Sequence, residues 1–223
     1  MKFTILKAVL ATAALCASGA ANADFGVGFK AGTLGLGVEG RWAPIPWFDI
    51  RVGINQYEYD DDLRLAGLGY DSTLVMDTYS LTGNFKFPLS PFRVTVGVLL
   101  NGNEIQASSQ PIGGIVMDVG KIPFDPDHVG VLQITTTFDD TSPYLGFGFD
   151  FEVFGKVGLN LDLGVLWQGE PQVTLEATGI GNAPPLIQDL METAIEIERQ
   201  ELEDEMSAYK AWPVISLGFV YNF

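Results

Sequence analysis

Histidine is the side chain most often used for acid–base catalysis and metal binding, and this chain of 223 residues has only one, His128. It lies in the segment 125–130, whose composition is typical of a loop. A serine beside a histidine and an acid could transfer an acyl group, but only distant serines, such as Ser108, Ser109 and Ser142, could supply it. A single histidine, with no cysteine after Cys16, leaves no credible zinc site. The residues therefore favour a loop histidine, and no cofactor or catalytic residue is predicted.

Two further motifs could bind ligands. The glycines of 35–40 match the GxGxxG dinucleotide fingerprint, but that fingerprint requires a helix next, and Trp42-Ala-Pro-Ile-Pro follows instead. The acidic clusters at 60–62, 125/127 and 139–140 offer oxygen ligands of the kind that Ca²⁺ and Mg²⁺ prefer. Their spacing matches no EF-hand, so we expect solvated loops there and no metal site.

A larger set of charged residues occupies alternate positions among bulky apolar neighbours. Alternation of this kind is the pattern of a β-strand, whose successive side chains point to opposite faces. The set contains five acids and five bases, which could neutralise one another as ion pairs inside a fold. Its members are Glu39, Arg41, Asp49, Arg51, Lys86, Arg93, Asp150, Glu152, Lys156 and Asp162.

The strands that carry these charges follow from the same alternation. The clearest strand is the last one, 213–223, whose apolar face ends with Phe219, Tyr221 and Phe223. Further strands are predicted at 34–42, 48–54, 79–87, 92–101, 145–153 and 157–167, and one at about 25–32 makes the count even. The apolar phase of 157–167 continues through Ala177, which predicts one very long strand.

The N-terminus has the features of a secretory signal peptide. Lys2 and Lys7 precede a short apolar run, and Ala21-Asn22-Ala23 is an A-x-A cleavage site, so we expect cleavage after Ala23. The mature chain, 24–223, would then carry 10 basic and 28 acidic residues, a formal charge of −18. Such a balance argues against nucleic acid as a partner, because phosphate binding needs clustered lysine and arginine.

Export and strand pattern together predict the fold class: an all-β, closed antiparallel transmembrane β-barrel. A soluble sandwich would bury the apolar faces in a core, whereas a barrel turns them towards lipid and turns the charged, glycine-rich faces inwards. Strands of 9 to 11 residues suit a tilted membrane strand. Eight strands are expected if 112–138 is an extracellular hairpin, and ten if its pieces cross the membrane.

Turn lengths predict the orientation of the barrel. Short turns at 42–47, 87–92 and 153–157 alternate with long segments at 58–72, 102–128 and 178–211, as periplasmic turns alternate with extracellular loops. Aromatic residues flank the short turns and are expected to form a girdle at that membrane interface: Trp42, Trp47, Phe87, Phe92, Phe154 and Phe223.

The segment 186–209 differs from the rest because its apolar residues recur at helical spacing. Pro184-Pro185 precedes it, and it contains eight acidic residues. We expect an acidic amphipathic helix in the last long loop, capping the mouth of the barrel. The alternative is a solvated loop without a helix.

Several features of the chain resemble the small outer-membrane barrel proteins of Gram-negative bacteria, in the size class of OmpA and OmpW. The resemblance lies in the signal peptide, in the glycine-rich segments 31–39, 143–148 and 164–169, and in the ending Tyr221-Asn-Phe223. It implies an outer-membrane location. The partners it implies are membrane lipids, lipopolysaccharide bridged by divalent cations, and the barrel-assembly machinery, which would read Phe219, Tyr221 and Phe223. No catalytic residue carries over.

Three functions are compatible with such a barrel. An eight-stranded barrel is just wide enough for its own side chains, so we predict a non-enzymatic structural or surface-interaction protein with a filled lumen. The alternative is a narrow channel for small solutes, in which the charges form a constriction. The third is a lipid-modifying enzyme that uses His128.

Overall fold

The computed structural model describes residues 24–65, 68–109, 117–119, 121–125 and 129–223. The predicted signal peptide, 1–23, and His128 lie outside these residues. Within the described ranges, no helix combines the length and the apolar character needed to cross a membrane.

Eight antiparallel strands form a closed barrel. They are β1 (Asp24–Gly32), β2 (Gly35–Ile45), β3 (Phe48–Leu65), β4 (Leu68–Lys86), β5 (Phe92–Asn101), β10 (Thr141–Phe154), β11 (Val157–Trp167) and β13 (Ala211–Asn222). The first and last strands pair, with Gly26 opposite Asn222, and β4 pairs with β5, so the ring has no open edge. The predicted eight-stranded barrel is confirmed, and the ten-stranded alternative is wrong.

The two faces of the wall follow the alternation of the sequence. On β5, Leu100 is 56% exposed and points outwards, whereas its neighbour Leu99 is 2% exposed and points into the barrel. On β13, Ile215, Leu217 and Phe219 all point outwards and are at least half exposed. A continuous apolar belt around a closed sheet is stable in lipid, because every backbone group is paired within the ring.

The two ends of the barrel differ. At one end, here called the short-turn end, lie the chain terminus Phe223 and the brief connections β2–β3, β4–β5 and β10–β11. At the opposite end, the long-loop end, β1 and β2 are joined by a turn of two residues, Thr33 and Leu34, and only two residues separate β3 from β4. The segments between β5 and β10 and between β11 and β13 are long.

At the long-loop end the wall continues into a second structure, here called the head. It comprises the outer halves of β3 and β4, strands β6 (Glu104–Ser109), β9 (Leu132–Thr137) and β12 (Gln172–Ala177), the hairpin of β7 (Met117–Val119) and β8 (Ile122–Phe124), and helix α1 (Pro185–Met206). The outer part of β4 leaves β5 and pairs with β6, which pairs with β9, which pairs with β12.

The predicted helix in the last long loop is confirmed. It begins at Pro185, where a proline is favourable because the first N–H groups of a helix have no partner within it. Its buried residues Met191 and Ala194 pack with Leu132 and Leu175 of the sheet in a hydrophobic core that belongs to the head. The helix therefore packs on β12 and the β7–β8 hairpin.

Two predictions about the long-loop end are wrong. The segment 58–72 is not a loop, because β3 and β4 stay in register from Phe48 opposite Phe85 to Leu65 opposite Leu68. The stretch 157–177 is not one strand: it is broken around Gly169, whose φ of +76° lies in the left-handed region that favours glycine. The residues after the break form β12, which belongs to the head.

Candidate functional site

The lumen contains a layer of charged side chains near the short-turn end, here called the charged layer. Its most buried carboxylate, Asp49, is fully enclosed. Asp49 accepts hydrogen bonds from Arg41 Nε and Arg51 Nε, each at 3.1 Å, and lies 2.8 Å from Lys86 Nζ. One buried carboxylate thus pairs with three cations. This arrangement is possible because ion pairing offsets the cost of burying each charge.

Arg51 connects this carboxylate to the rest of the layer. Its Nη2 lies 3.0 Å from Asp150 on the opposite wall of the barrel, and its Nη1 lies 3.3 Å from Glu39. Glu39 also accepts a hydrogen bond from Asn160 Nδ2 at 3.3 Å. The contacts of Arg51 therefore link strands that are far apart in the sheet.

Arg93 is the second connecting residue, and it is almost completely buried. Its guanidinium bonds Asp150 through Nε at 2.9 Å and Asp162 through Nη2, and it donates from Nη1 to Asn84 Oδ1 at 2.8 Å and Thr95 Oγ1 at 2.7 Å. Because the planar group has five donors in fixed directions, it can hold all four partners at once.

Glycine makes room for this guanidinium. A Cβ atom at Gly148 would lie 2.7 Å from Arg93 Cζ and 2.8 Å from the carbonyl oxygen of Leu161. Glycine also makes room for a side chain nearer the long-loop end, where Cβ atoms at Gly146 and Gly164 would each lie 2.5 Å from Tyr144 Oη. The glycines of the inward faces therefore make room for large side chains of the same strand and of neighbouring strands.

Eight of the ten charged residues predicted from the alternation come together in the charged layer. The other two, Glu152 and Lys156, are exposed at the short-turn mouth, and neither forms an ion pair with a described residue. Lys30 was missed: its Nζ lies 3.5 Å from Glu39. The signal was present, because Lys30 follows Phe29 on β1 and so must face inwards, but the slip of phase near Gly32 hid it.

A second layer of the lumen is apolar and was not predicted. Leu34, Leu99, Tyr144, Leu166 and Val214 form one buried cluster, with Trp212 packed against it, towards the long-loop end. On β5 this layer is six residues from Arg93, which corresponds to roughly 20 Å along the strand. The sequence conceals it, because leucine and valine here alternate with other apolar residues and the inward phase cannot be distinguished by polarity.

Two cavities flank the charged layer. A small one of about 50 Å³ lies between the charged and apolar layers, and a wider vestibule of about 440 Å³ opens at the short-turn mouth. Arg51 lines both cavities. The charged layer thus separates the interior cavity from the mouth.

Most of the predicted girdle aromatics lie at the short-turn end with their rings outside. Trp42, Trp47, Phe87 and Phe223 are exposed, and the rings of Phe87 and Phe92 lie 5.4 Å apart; the Phe154 side chain is outside the described part of the structure. The C-terminal residues Phe219, Tyr221 and Phe223 also face outwards.

The charge of the chain is concentrated in the head. The segments 56–77, 102–140 and 168–210 contain 22 of the 28 acidic residues but only 4 of the 12 basic residues. Within the described ranges, no three histidine, cysteine, aspartate or glutamate side chains converge as metal ligands. The barrel is therefore close to neutral, and the head carries the excess of negative charge.

A closed antiparallel barrel with an apolar exterior, a polar interior and short turns at one end is the fold of the small outer-membrane β-barrel proteins. This chain has that fold, with eight strands and a helix-bearing extension.

Solved structures with similar folds include CarO2 and CarO of Acinetobacter baumannii. The chain is 20% identical to CarO2, over 90% of this chain and 98% of that one, with a TM-score of 0.57. It is 21% identical to CarO, over 89% and 97% of the two chains, with a TM-score of 0.56. At this level of identity the likeness supports the fold alone. No protein-family model matches the chain, and no curated protein matches it.

Proposed function

We propose that this chain is an integral outer-membrane protein whose filled barrel anchors an acidic extracellular head, and that its role is structural or surface-interacting. The short-turn end then faces the periplasm and the head faces outwards, as short turns and long loops do in known barrels. The observation that carries the proposal is the double closure of the lumen by the charged and apolar layers.

The two layers close the lumen by different means. The charged layer joins opposite walls through Arg51 and Arg93, whose buried ion pairs would have to break before an ion could pass. Breaking a buried pair leaves a charge without a partner at low dielectric, which is costly. The apolar layer fills the lumen with hydrophobic side chains, of which Leu99 and Leu166 are almost completely buried, and such a constriction is unfavourable for an ion.

The head supports a role at the surface. It has its own hydrophobic core, which includes Val129, Met191 and Ala194, so it does not depend on the lumen for its packing. Its charge creates a negative field that would attract cations and positively charged partners. Lipopolysaccharide, joined to the head through divalent cations, and membrane lipids around the apolar belt are the partners we propose.

Conductance in planar lipid bilayers tests the filled lumen. The protein is first shown to be folded by the heat-dependent shift of its band on a gel, and it is then added to a bilayer in concentrated KCl. We expect no steady single-channel openings from the wild type. Steady openings of one amplitude would overturn the proposal.

A narrow channel is the second candidate, and the position of Arg51 favours it. Since this side chain lines both the vestibule and the interior cavity, an exchange of its ion pairs would join the two spaces. A channel conducts without any substitution. A filled barrel conducts only after both layers are reduced, for example in Arg93→Ala combined with Leu166→Ala.

We propose no enzymatic activity. The competing hypothesis of a lipid-modifying enzyme depends on His128, and mass spectrometry of lipid A from cells with and without the protein tests it. The spectra should be identical. A modification that appears with the protein and disappears in His128→Ala would establish the enzyme instead.

A further inference from the structure

The charges inside the lumen do not balance. Among the described residues, the ion-paired groups of the charged layer, with Lys30 included, comprise five cations and four carboxylates. The cations are Lys30, Arg41, Arg51, Lys86 and Arg93, and the carboxylates are Glu39, Asp49, Asp150 and Asp162. One positive charge therefore has no counterpart within the charged layer. Asp24, the carboxylate that balances it in the barrel as a whole, is exposed at the short-turn mouth, and inside the barrel a charge is screened only weakly.

Lys30 is the cation with the fewest partners. Its only described ion-pair contact is Glu39 Oε2 at 3.5 Å, and that carboxylate is shared with Arg51 Nη1 at 3.3 Å. An ammonium group has three N–H donors, so Lys30 retains donors that no described side chain accepts. The unbalanced charge and the unused donors thus coincide on one residue.

The interior cavity lies against this residue and contains a second unused donor. The charged residues that line the cavity are three cations and two carboxylates, and the amide of Asn84 lines it as well. The cations are Lys30, Arg51 and Arg93, and the carboxylates are Glu39 and Asp162. Asn84 is fully buried, and its Nδ2 has no hydrogen-bond partner among the residues that the structure describes. The amide cannot be turned round, because its Oδ1 accepts from Arg93 Nη1, which can only donate. The free group is therefore a true N–H donor.

We propose that the interior cavity is a binding site for a small monovalent inorganic anion of the halide class. An anion supplies the missing negative charge and accepts from Lys30 Nζ and Asn84 Nδ2, which a cation cannot do. The volume of about 50 Å³ exceeds the roughly 10–15 Å³ that one water needs, so a small ion fits with water, whereas a large organic anion does not. The apolar layer limits access from the outside.

Bromide is the probe, because its anomalous scattering distinguishes it from water. Crystals of the folded protein are grown with sodium bromide, and thermal unfolding in detergent is followed in parallel while bromide replaces gluconate at constant ionic strength. We expect an anomalous peak inside the cavity, next to Asn84 Nδ2. Bromide at ten times its dissociation constant should raise the folded-to-unfolded ratio about elevenfold.

Two lysine variants connect the effect to the charge. Lys30→Met removes the unbalanced cation and should abolish both the peak and the stabilisation by bromide. Lys156→Met removes the same charge from an exposed residue at the mouth and should change neither. If Lys30→Met does not fold, the wild-type map and titration decide alone.

Three results would each overturn the proposal. They are a cavity that contains only water in bromide-grown crystals, an equal response to bromide and gluconate, and a peak that persists in Lys30→Met. A peak seen only in crystals, with no shift in unfolding, also counts against it, since it would show binding at crystal concentration only. None of these results bears on whether the lumen conducts, which the bilayer experiment tests.

Discussion

Replacing Arg93 by methionine tests the charged layer most directly. The side chain is 1% exposed. It donates hydrogen bonds to Thr95 on its own strand and to one residue on each of three other strands, namely Asn84, Asp150 and Asp162. In Arg93→Met, Asp150 keeps Arg51 at 3.0 Å, but Asp162 keeps only the hydroxyl of Ser216 at 3.4 Å. The substitution therefore leaves one carboxylate inside the barrel without a cation.

The cost can be estimated from that single loss. Removing one partner of a buried ion pair destabilises a protein by about 3–5 kcal/mol. With an m-value of about 2 kcal/mol/M in urea, a loss of about 4 kcal/mol lowers the midpoint of unfolding by about 2 M. Urea unfolding of the refolded protein in detergent micelles, followed by tryptophan fluorescence, measures this shift.

A second substitution shows whether the unpaired carboxylate of Asp162 causes the loss of stability. Asp162→Asn, added to Arg93→Met, removes the unpaired carboxylate and should restore about half of the lost stability, which a double-mutant cycle reports as coupling between the two sites. Lys156→Met is the matched control and should change the midpoint little. An unchanged midpoint in Arg93→Met would refute the assignment of these charges to a stabilising interior layer.

Three further results are expected. Gly148→Ala should destabilise the barrel by about 1–3 kcal/mol, because the new methyl overlaps the Arg93 guanidinium. Gly40→Ala is the control and should not, because no atom of the described residues would lie within 4 Å of the new Cβ. The urea midpoints of the two variants are compared. Ala194→Glu should detach α1, so that a protease cleaves it while the heat-dependent gel shift of the barrel persists. The hydrogen bond from Arg199 lowers the pKa of Glu196 to about 2; its contribution to stability is complete above pH 4.5 and is lost as the pH falls through about 2, and an NMR titration midpoint near 4.5 would contradict this.

The barrel was predictable because a membrane strand has to alternate. Every second residue of β5, β10 and β11 meets lipid and must be apolar, so the two-residue period is visible in the sequence. That period predicts the strands, the direction of their faces and eight of the residues in the charged layer. The helix was predictable for a similar reason, since its buried face, with Met191 and Ala194, has helical spacing.

The head and the apolar layer were not predictable in the same way. Outside lipid the outward face of β3 and β4 becomes polar, and the alternation that marked these strands disappears after Ile54. Leu99 and Leu166 face inwards among other apolar residues, so polarity does not report their direction. Their burial depends on side chains that reach the same level from Tyr144 and Val214, contacts that only the register of the closed ring fixes.

Strand β4 is shared by the barrel and the head, and its 19 residues run without a break from one to the other. Residues 68–77 project beyond the last pairing with β5, a length of at most roughly 30 Å. The wall of the barrel thus extends into a rigid support for the helix-bearing sheet. In the orientation proposed above, a large particle that approaches the cell would meet this sheet, at an inclination set by the bilayer, before it could touch the lipid.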